Sequence, residues 1–174
     1  MKKLLAILLL TIPAHAGSVY IDQVGDNNDI FVSQYGTGDH EAILLNQGDG
    51  NDLSIIQRDG GNHSAFIGTP PSGMIGTSFV PTPGQGNSGN DFLIYQKGSG
   101  DHTAAINLDH TVANNNNTAT IDQEGAANKQ FTLNLSGSNI GVTVQQDNAT
   151  TPDSGSMSIQ CYTGSCQGYS YIRH

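Results

Sequence analysis

The sequence of 174 residues predicts an all-β fold, a parallel two-sheet β-solenoid. Three observations predict it. Short segments have apolar residues at every second position and end in glutamine, each glutamine is followed by a turn rich in Gly, Asn and Asp, and successive glutamines in intact stretches lie 10, 11 or 13 residues apart. Period-two alternation is typical of a strand with one buried face. Two such segments form a strand–turn–strand–turn unit of about 22 residues, and we expect five to six layers spaced about 4.8 Å apart.

Residues 1–16 have the pattern of a secretory signal peptide. Lys2 and Lys3 precede an apolar run over 4–12, and Ala14-His15-Ala16 is a small-x-small cleavage site. The run is too short to cross a bilayer, which takes about 20 residues. We therefore expect cleavage between Ala16 and Gly17, a secreted chain, and no membrane-spanning segment in its mature form.

Composition narrows the class of protein. Without Lys2 and Lys3 the chain has four basic residues against fifteen acidic ones, and nucleic acid demands a basic face. No nucleic-acid partner is therefore expected. The chain has no Trp and 22 Gly, a composition of disordered or repetitive chains, and the periodicity favours repetition.

The strand pattern is apolar-x-apolar-x-Gln, and seven segments fit it. They are Val19-Ile21-Gln23, Ile30-Val32-Gln34, Ile43-Leu45-Gln47, Leu53-Ile55-Gln57, Phe92-Ile94-Gln96, Ala119-Ile121-Gln123 and Val142-Val144-Gln146.

Four weaker units bring the expected number of strands to eleven. In the last two, the apolar residues fall one place late relative to the amide grid, and a one-residue slip exchanges the faces of a strand. The register after about residue 128 therefore stays open. The four units are Ser64-Phe66-Gly68, Thr103-Ala105-Asn107, Phe131-Leu133-Leu135 and Met157-Ile159-Cys161.

Two insertions divide the repeats. Residues 69–89 contain Pro70, Pro71, Pro81 and Pro83, and proline cannot donate to a β-ladder. Residues 108–116 resemble a widened turn. We expect repeats over 17–68 and 90–160, degenerate towards the C-terminus, with 69–89 looped out.

The turn sequence Gln-x-Gly-x-x-Asn completes the pattern, as in 23–28 and 123–128. Strand, turn and double unit together resemble the curlin-associated repeats of curli fibre subunits, over about 17–68 and 90–146 with traces to 160. The resemblance implies export through an outer-membrane pore, assembly with other curli-type subunits into amyloid fibres (fimbriae), and roles in biofilm matrix and adhesion at the cell surface. The repeats begin almost at the expected mature terminus, without a Gly/Asn-rich leader. Major subunit, minor subunit, nucleator and diverged paralogue all stay open.

The resemblance also implies which residues support assembly. Stacked amides form ladders in which each donates to one neighbouring layer and accepts from the other. The expected ladder residues are the glutamines Gln23, Gln34, Gln47, Gln57, Gln96, Gln123 and Gln146 and the asparagines Asn28, Asn51, Asn62, Asn90, Asn117 and Asn128.

A calcium-binding β-roll is the alternative from another class. Residues 48–53 resemble half of a calcium-roll repeat, and clustered carboxylates could supply oxygen ligands. A calcium roll, however, repeats every nine residues. We therefore predict no metal site and no cofactor, with a monomeric calcium-binding surface protein as the alternative.

The ionisable residues predict no enzyme. The histidines lie beside turns or at the terminus, and the acids cluster in turns rather than as pairs on a strand face. No catalytic residue is therefore expected. Asp29, Asp52 and Asp91 start alternate strands and should stack in one column of like charges.

Cys161 and Cys166 lie in the expected C-terminal tail, 161–174. In an exported chain, this spacing is consistent with a small disulfide loop that staples the tail to the stack. Pairing between two chains is the alternative.

Overall fold

The computed structural model describes residues 6–10, 17–69, 87–109 and 111–174. The described residues form strands and turns without a helix. The strands are β1 (Ala6–Leu10), β2 (Ser18–Val24), β3 (Asp29–Gly36), β4 (Glu41–Gln47), β5 (Asp52–Asp59), β6 (Ser64–Gly68), β7 (Asp91–Lys97), β8 (His102–Leu108), β9 (Thr118–Glu124), β10 (Lys129–Gly137), β11 (Ile140–Gln146), β12 (Asp153–Cys161) and β13 (Cys166–Arg173).

These strands form two parallel sheets. Sheet A has the order β1-β3-β5-β7-β9-β11-β13, and sheet B has the order β12-β10-β8-β6-β4-β2. Because strands alternate between the sheets along the chain, each pair from β2/β3 to β12/β13 forms one layer. The stack has about six such layers, and the predicted two-sheet β-solenoid is confirmed.

The core lies between the sheets. Ile55, Ile94 and Ile121 of sheet A face Leu44 and Ile106 of sheet B, and all five are fully buried. Each layer therefore adds its apolar side chains to one continuous hydrophobic interior, which is the main stabilising contribution in a fold of this kind.

Tight corners allow the layers to approach closely. Gly98 follows β7 with a φ of 125°, a conformation that side chains disfavour. A Cβ atom there would lie 2.1 Å from the Gly125 carbonyl oxygen of the next layer. Glycine is therefore required at this corner for conformational and steric reasons.

Three strands of sheet B bury the opposite face from the predicted one. The residues predicted to face inward in β4, β6 and β8 were wrong. In each of these strands the other alternate set is in register with the apolar residues of the neighbouring strands, so that set faces the core. The structure buries Ala42, Leu44 and Asn46 in β4, Ala65 and Ile67 in β6, and His102, Ala104, Ile106 and Leu108 in β8. Of the predicted inward residues of β4, Leu45 is buried as well, but it does not belong to the core cluster.

The late strands of sheet B have a continuous register. Strand β10 pairs with β8 from Lys129↔His102 onwards, and with β12 from Lys129↔Asp153 onwards, without a shift. Phe131, Leu133 and Leu135 point into the core. The suspected slip came from placing β4, β6 and β8 on the wrong face, so the register after residue 128 agrees with the rest of the sheet.

The expected tail is a strand of the stack. Strand β13 pairs with β11, with a register shift between Ile140 and Val142. Tyr171 packs on Phe131 with ring centroids 4.8 Å apart. The solenoid thus has twelve described strands after residue 17 rather than the eleven expected. Strand β13 was not predicted because tyrosines occupy the positions where the other strands have aliphatic residues.

The insertions differ in how far the structure describes them. Residues 70–86, which include the four prolines, lie outside the described residues. Asn87 is buried and Ser88 bridges to Asn115, so residues 87–89 belong to the stack rather than to the insertion. In the second insertion Asn114 is fully buried, and His110 lies outside the described residues.

Strand β1 lies within the predicted signal segment. Its backbone pairs in parallel with Ile30–Gln34 of β3, and the expected cleavage residue Ala16 lies outside the described residues. Among the residues described, no helix is long and apolar enough to cross a membrane.

Candidate functional site

A column of glutamine side chains joins the layers at the end of the sheet A strands. Each Nε2 donates to Oε1 of the next glutamine, from Gln34 to Gln57 at 2.8 Å, Gln57 to Gln96 at 3.0 Å, Gln96 to Gln123 at 2.9 Å and Gln123 to Gln146 at 2.8 Å. The last four glutamines are fully buried. We name this set, Gln34, Gln57, Gln96, Gln123 and Gln146, the glutamine ladder.

The glutamine ladder also ties sheet A to sheet B. Nε2 of Gln57 donates to the carbonyl oxygens of Glu41 at 2.9 Å and His63 at 3.0 Å. Nε2 of Gln96 approaches the Ser64 carbonyl at 3.2 Å. A glutamine at the strand end thus satisfies backbone groups at the start of the facing strand, where the apolar core ends.

A second column of amides lies at the other end of the sheet A strands, just before each strand begins. The residues Asn28, Asn51, Asn90 and Asn117 are buried in the turns before β3, β5, β7 and β9. Oδ1 of Asn51 accepts the backbone N–H of Asn90 at 3.0 Å and its Nδ2 at 2.9 Å. We name these four residues the asparagine ladder. The two ladders hold both ends of the sheet A strands in register.

Four of the amides expected in ladders lie elsewhere. Gln23 is in register with Asn46 rather than Gln47, so sheet B has no matching glutamine column among its described strands. Asn62 and Asn128 are exposed. Their Oδ1 atoms accept the backbone N–H groups of Asp39 and Asp101, each at 2.9 Å. These bonds join the exposed turns of adjacent layers and lie outside the buried ladders.

The comparison with protein families identifies one layer of this stack. The model of the curlin associated repeat matches residues 18–36, which span β2, its turn and β3. The chain contains a curlin associated repeat over these residues. No curated protein and no solved structure gives a significant match.

The matched curlin repeat is the first layer, and the others extend its geometry. Asp29 of the matched segment is in register with Asp52, and Asp52 with Asp91. Gln34, at the end of the matched segment, starts the glutamine ladder. The curlin-repeat fold is structural rather than enzymatic in character.

The stack buries a column of histidines that the sequence pattern places beside turns, with His63 and His102 at matching positions of their units. His40, His63 and His102 are stacked, with ring centroids 5.0 and 4.8 Å apart and planes within 8° of parallel. All three are buried. Their only signal in the sequence is a fixed position after Asp39, Asn62 and Asp101, immediately before a sheet B strand.

Burial disfavours the protonated form of these histidines. It lowers the pKa of His63 to about 4, assisted by repulsion from His102 and His40 and opposed by a hydrogen bond of 2.8 Å between His63 Nε2 and the Arg58 carbonyl oxygen. Burial also lowers the pKa values of His40 and His102. Lys129 continues the column, and its Nζ donates to the carbonyl oxygens of Asn148 and Thr151 at 2.6 Å each.

The predicted column of aspartates is present on sheet A. Asp29, Asp52 and Asp91 occupy successive layers in register. Burial, followed by repulsion from Asp91 and Asp29, raises the pKa of Asp52. In the next layer Thr118 takes this position. Like charges at the spacing of adjacent strands destabilise the stack.

Cys161 and Cys166 form a disulfide across the corner between β12 and β13, with Cα atoms 6.0 Å apart. The bond joins the end of β12 to the start of β13 within one layer. It lies within one chain, which is the arrangement that the spacing favours.

Substituting Gln96 tests the glutamine ladder. Gln96→Met keeps the side-chain volume but leaves Oε1 of Gln123 without its donor, while Nε2 of Gln57 loses Gln96 and keeps the Glu41 and His63 carbonyl oxygens. Since an unpaired buried polar group costs about 1–3 kcal/mol, we expect the free energy of unfolding in urea to fall by about 1–3 kcal/mol. Gln160→Met, on the exposed face of β12, is the matched control. Equal stability of both variants would contradict the ladder.

Acid should weaken the stack through His63. The folded pKa is about 4 and the ordinary value is 6.5, so the unfolded chain binds more protons between these values and stability is lost as pH falls through this range. The free energy of unfolding in urea should therefore fall more for wild type than for His63→Asn between pH 7 and pH 4. Asn62→Ala, a non-titrating exposed neighbour, should run parallel to wild type. A parallel His63→Asn profile would refute the effect.

The aspartate column should respond to pH with the opposite sign. Asp52→Asn removes one of three stacked charges, so we expect a gain of a few tenths to about 1 kcal/mol at pH 7. Because the folded pKa of Asp52 is raised, wild type gains stability as acid protonates it, and the advantage of the variant should shrink towards pH 4. Asp59→Asn, on the same strand outside the column, should show no such gain. A gain that is constant with pH would argue against charge repulsion.

Proposed function

We propose that this protein is an exported subunit of a curli-type fibre and that it assembles by stacking one solenoid end on another. The curlin repeat of the first layer supports membership of such a fibre. The acidic charge of the chain supports a non-nucleic-acid role. In this proposal residues 1–16 are the signal peptide, and the chain leaves the cell through an outer-membrane pore.

The observation that carries the proposal is the open-ended stack. Strands β2 and β12 are the edges of sheet B, and β13 is one edge of sheet A. Once residues 1–16 are removed, β3 is the other edge, since β1 is its neighbour on that side among the described strands. Unpaired strand edges template further pairing. Each end of the mature stack thus exposes one edge strand of each sheet, with apolar side chains between the two strands.

The ends retain apolar surface where a neighbour would add. Val19 and Ile21 of β2 are half-buried and pack against the core from the first layer. Met157 and Tyr171 do so from the last layer. A second copy would cover these side chains with the same alternation that buries the interior ones. Stacking therefore extends the core of the monomer along the fibre.

The biological role follows from this assembly. A fibre of stacked copies at the cell surface serves as an adhesive component of the biofilm matrix, together with other curli-type subunits. A bulk subunit and a nucleating or minor component would use the same ends. They differ in how many copies add, which an assembly assay measures.

Seeded growth tests the proposal. Residues 17–174 are purified as monomer, and a cross-β dye is followed in quiescent buffer with and without sonicated seeds. Seeds should abolish the lag, and fibre diffraction should give reflections near 4.8 and 10 Å. Parallel samples with millimolar calcium or a chelator should grow alike. A monomer that ignores seeds would refute the proposal, and one that folds only with calcium would favour the β-roll alternative.

A further inference from the structure

The glutamine ladder has a direction. In every step Nε2 of one layer donates to Oε1 of the layer that follows it in the chain, from Gln34 through Gln146. The first layer therefore ends on an acceptor and the last layer must end on a donor. An added copy can continue the ladder only if its junction places a donor opposite Gln34.

The acceptor of the first layer, Oε1 of Gln34, lies beside Gly17 and at the register position of Leu10 of β1, a strand of the segment that is removed in the proposed mature chain. Within the described residues no group donates to Oε1 of Gln34, and Gln34 is half-buried whereas the other four ladder glutamines are fully buried. Its Nε2 donates to Gln57 and approaches the Ser18 carbonyl oxygen at 3.3 Å. The position thus has half of the bonds that an interior ladder glutamine makes between layers.

The last layer replaces glutamine with arginine. In the pairing of β11 with β13, Arg173 lies opposite Gln146, at the ladder position. Nε2 of Gln146 donates instead to Oδ2 of Asp153 at 2.9 Å. Nε of Arg173 lies 3.6 Å from Oδ1 of the same carboxylate, whose side chain is 8% exposed while that of Arg173 is 64% exposed. The last layer therefore ends on an exposed cation above a nearly buried anion.

We propose that Arg173 is the contact residue that joins one copy to the next, by donating to Oε1 of Gln34 in a second copy of this chain. The inference rests on the proposed fibre function. It follows from continuing the register of the stack across the junction, which places Tyr171 opposite Val32 and Arg173 opposite Gln34. The junction then has the same donor-to-acceptor direction as the four ladder steps within the monomer.

The charges are balanced at such a junction. Arg173 loses water when a copy covers it, and a buried cation must keep a counter-charge and hydrogen-bond acceptors. Asp153 supplies the charge and the Gln34 oxygen supplies an acceptor. Arginine suits this position because its guanidinium donates to several acceptors at once.

The junction also fixes the polarity of the fibre. The ladder bond forms only when the last layer of one copy meets the first layer of another in parallel register. Two first layers would meet with two open acceptors and no donor, and two last layers would bring two cations to the junction. Head-to-tail addition is the arrangement in which donor and acceptor meet.

Charge reversal at Arg173 tests the contact. Arg173→Glu places an acceptor opposite the Gln34 oxygen and a second negative charge beside Asp153. Seeded elongation should therefore slow by about tenfold or more, the factor that corresponds to the loss of one charge-assisted hydrogen bond. Arg173→Gln continues the amide ladder and should elongate within about twofold to threefold of wild type. Arg58→Glu makes the same charge change on an exposed strand end inside the stack and should elongate like wild type.

Circular dichroism and urea midpoints of the monomers separate folding from growth. If Arg173→Glu unfolds, Arg173→Met, which keeps the length but removes the donor, replaces it and should also slow elongation. A wild-type chain that fails to seed would refute the proposed function itself. A wild type that seeds, with Arg173→Glu or Arg173→Met elongating equally fast, would overturn only the arginine junction.

Discussion

The structure depends on buried amides that pair from layer to layer. A buried amide without partners costs about 1–3 kcal/mol, and the glutamine and asparagine ladders place such groups at both ends of the sheet A strands. A layer that shifted by one residue would unpair several of them at once. The ladders therefore allow one register, and the apolar side chains between them, such as Ile55 and Ile94, fall into columns as a result.

The same constraint makes the stack open-ended. An interior layer satisfies its amides with the layers above and below, so a terminal layer cannot be complete by itself. The two ends meet this problem differently. The last layer has the Asp153–Arg173 contact and the Cys161–Cys166 disulfide, whereas the first layer ends on the Gln34 oxygen. The two ends are thus chemically distinct, and the monomer has a direction that a fibre can inherit.

Sheet A could be predicted from the sequence because its strands have apolar residues at every second position and end in glutamine. Sheet B could not, since Ile43, Leu44 and Leu45 are all apolar and Asn46 and Gln47 are both amides, so either alternation fits β4. The histidines were assigned to turns because polarity before a strand is typical of a corner. Their burial depends on stacking with the next layer, which local patterns do not show. Strand β13 was missed because Tyr169, Tyr171 and Arg173 replace the apolar and glutamine positions.

Two ionisable columns give the stack opposing responses to acid. Burial disfavours the protonated histidines, so acid destabilises the stack through this column. Protonation of the aspartate column relieves the repulsion between its carboxylates, so acid stabilises the stack through that column. Between pH 4 and the ordinary histidine pKa of 6.5 the net response is the difference between them. Since the columns lie on different sheets, a substitution in one leaves the side chains of the other in place.

The central claim is that the layers of the fibre are the layers of the folded monomer. Solid-state NMR of fibres labelled at the glutamine side-chain carbonyls, prepared pure and diluted with unlabelled chain, tests it directly. We predict contacts between Gln96 and Gln123 at about 4.8 Å that survive dilution, because both residues belong to one chain. Contacts between like residues of different chains, lost on dilution, would show in-register stacking of extended molecules and would contradict the solenoid.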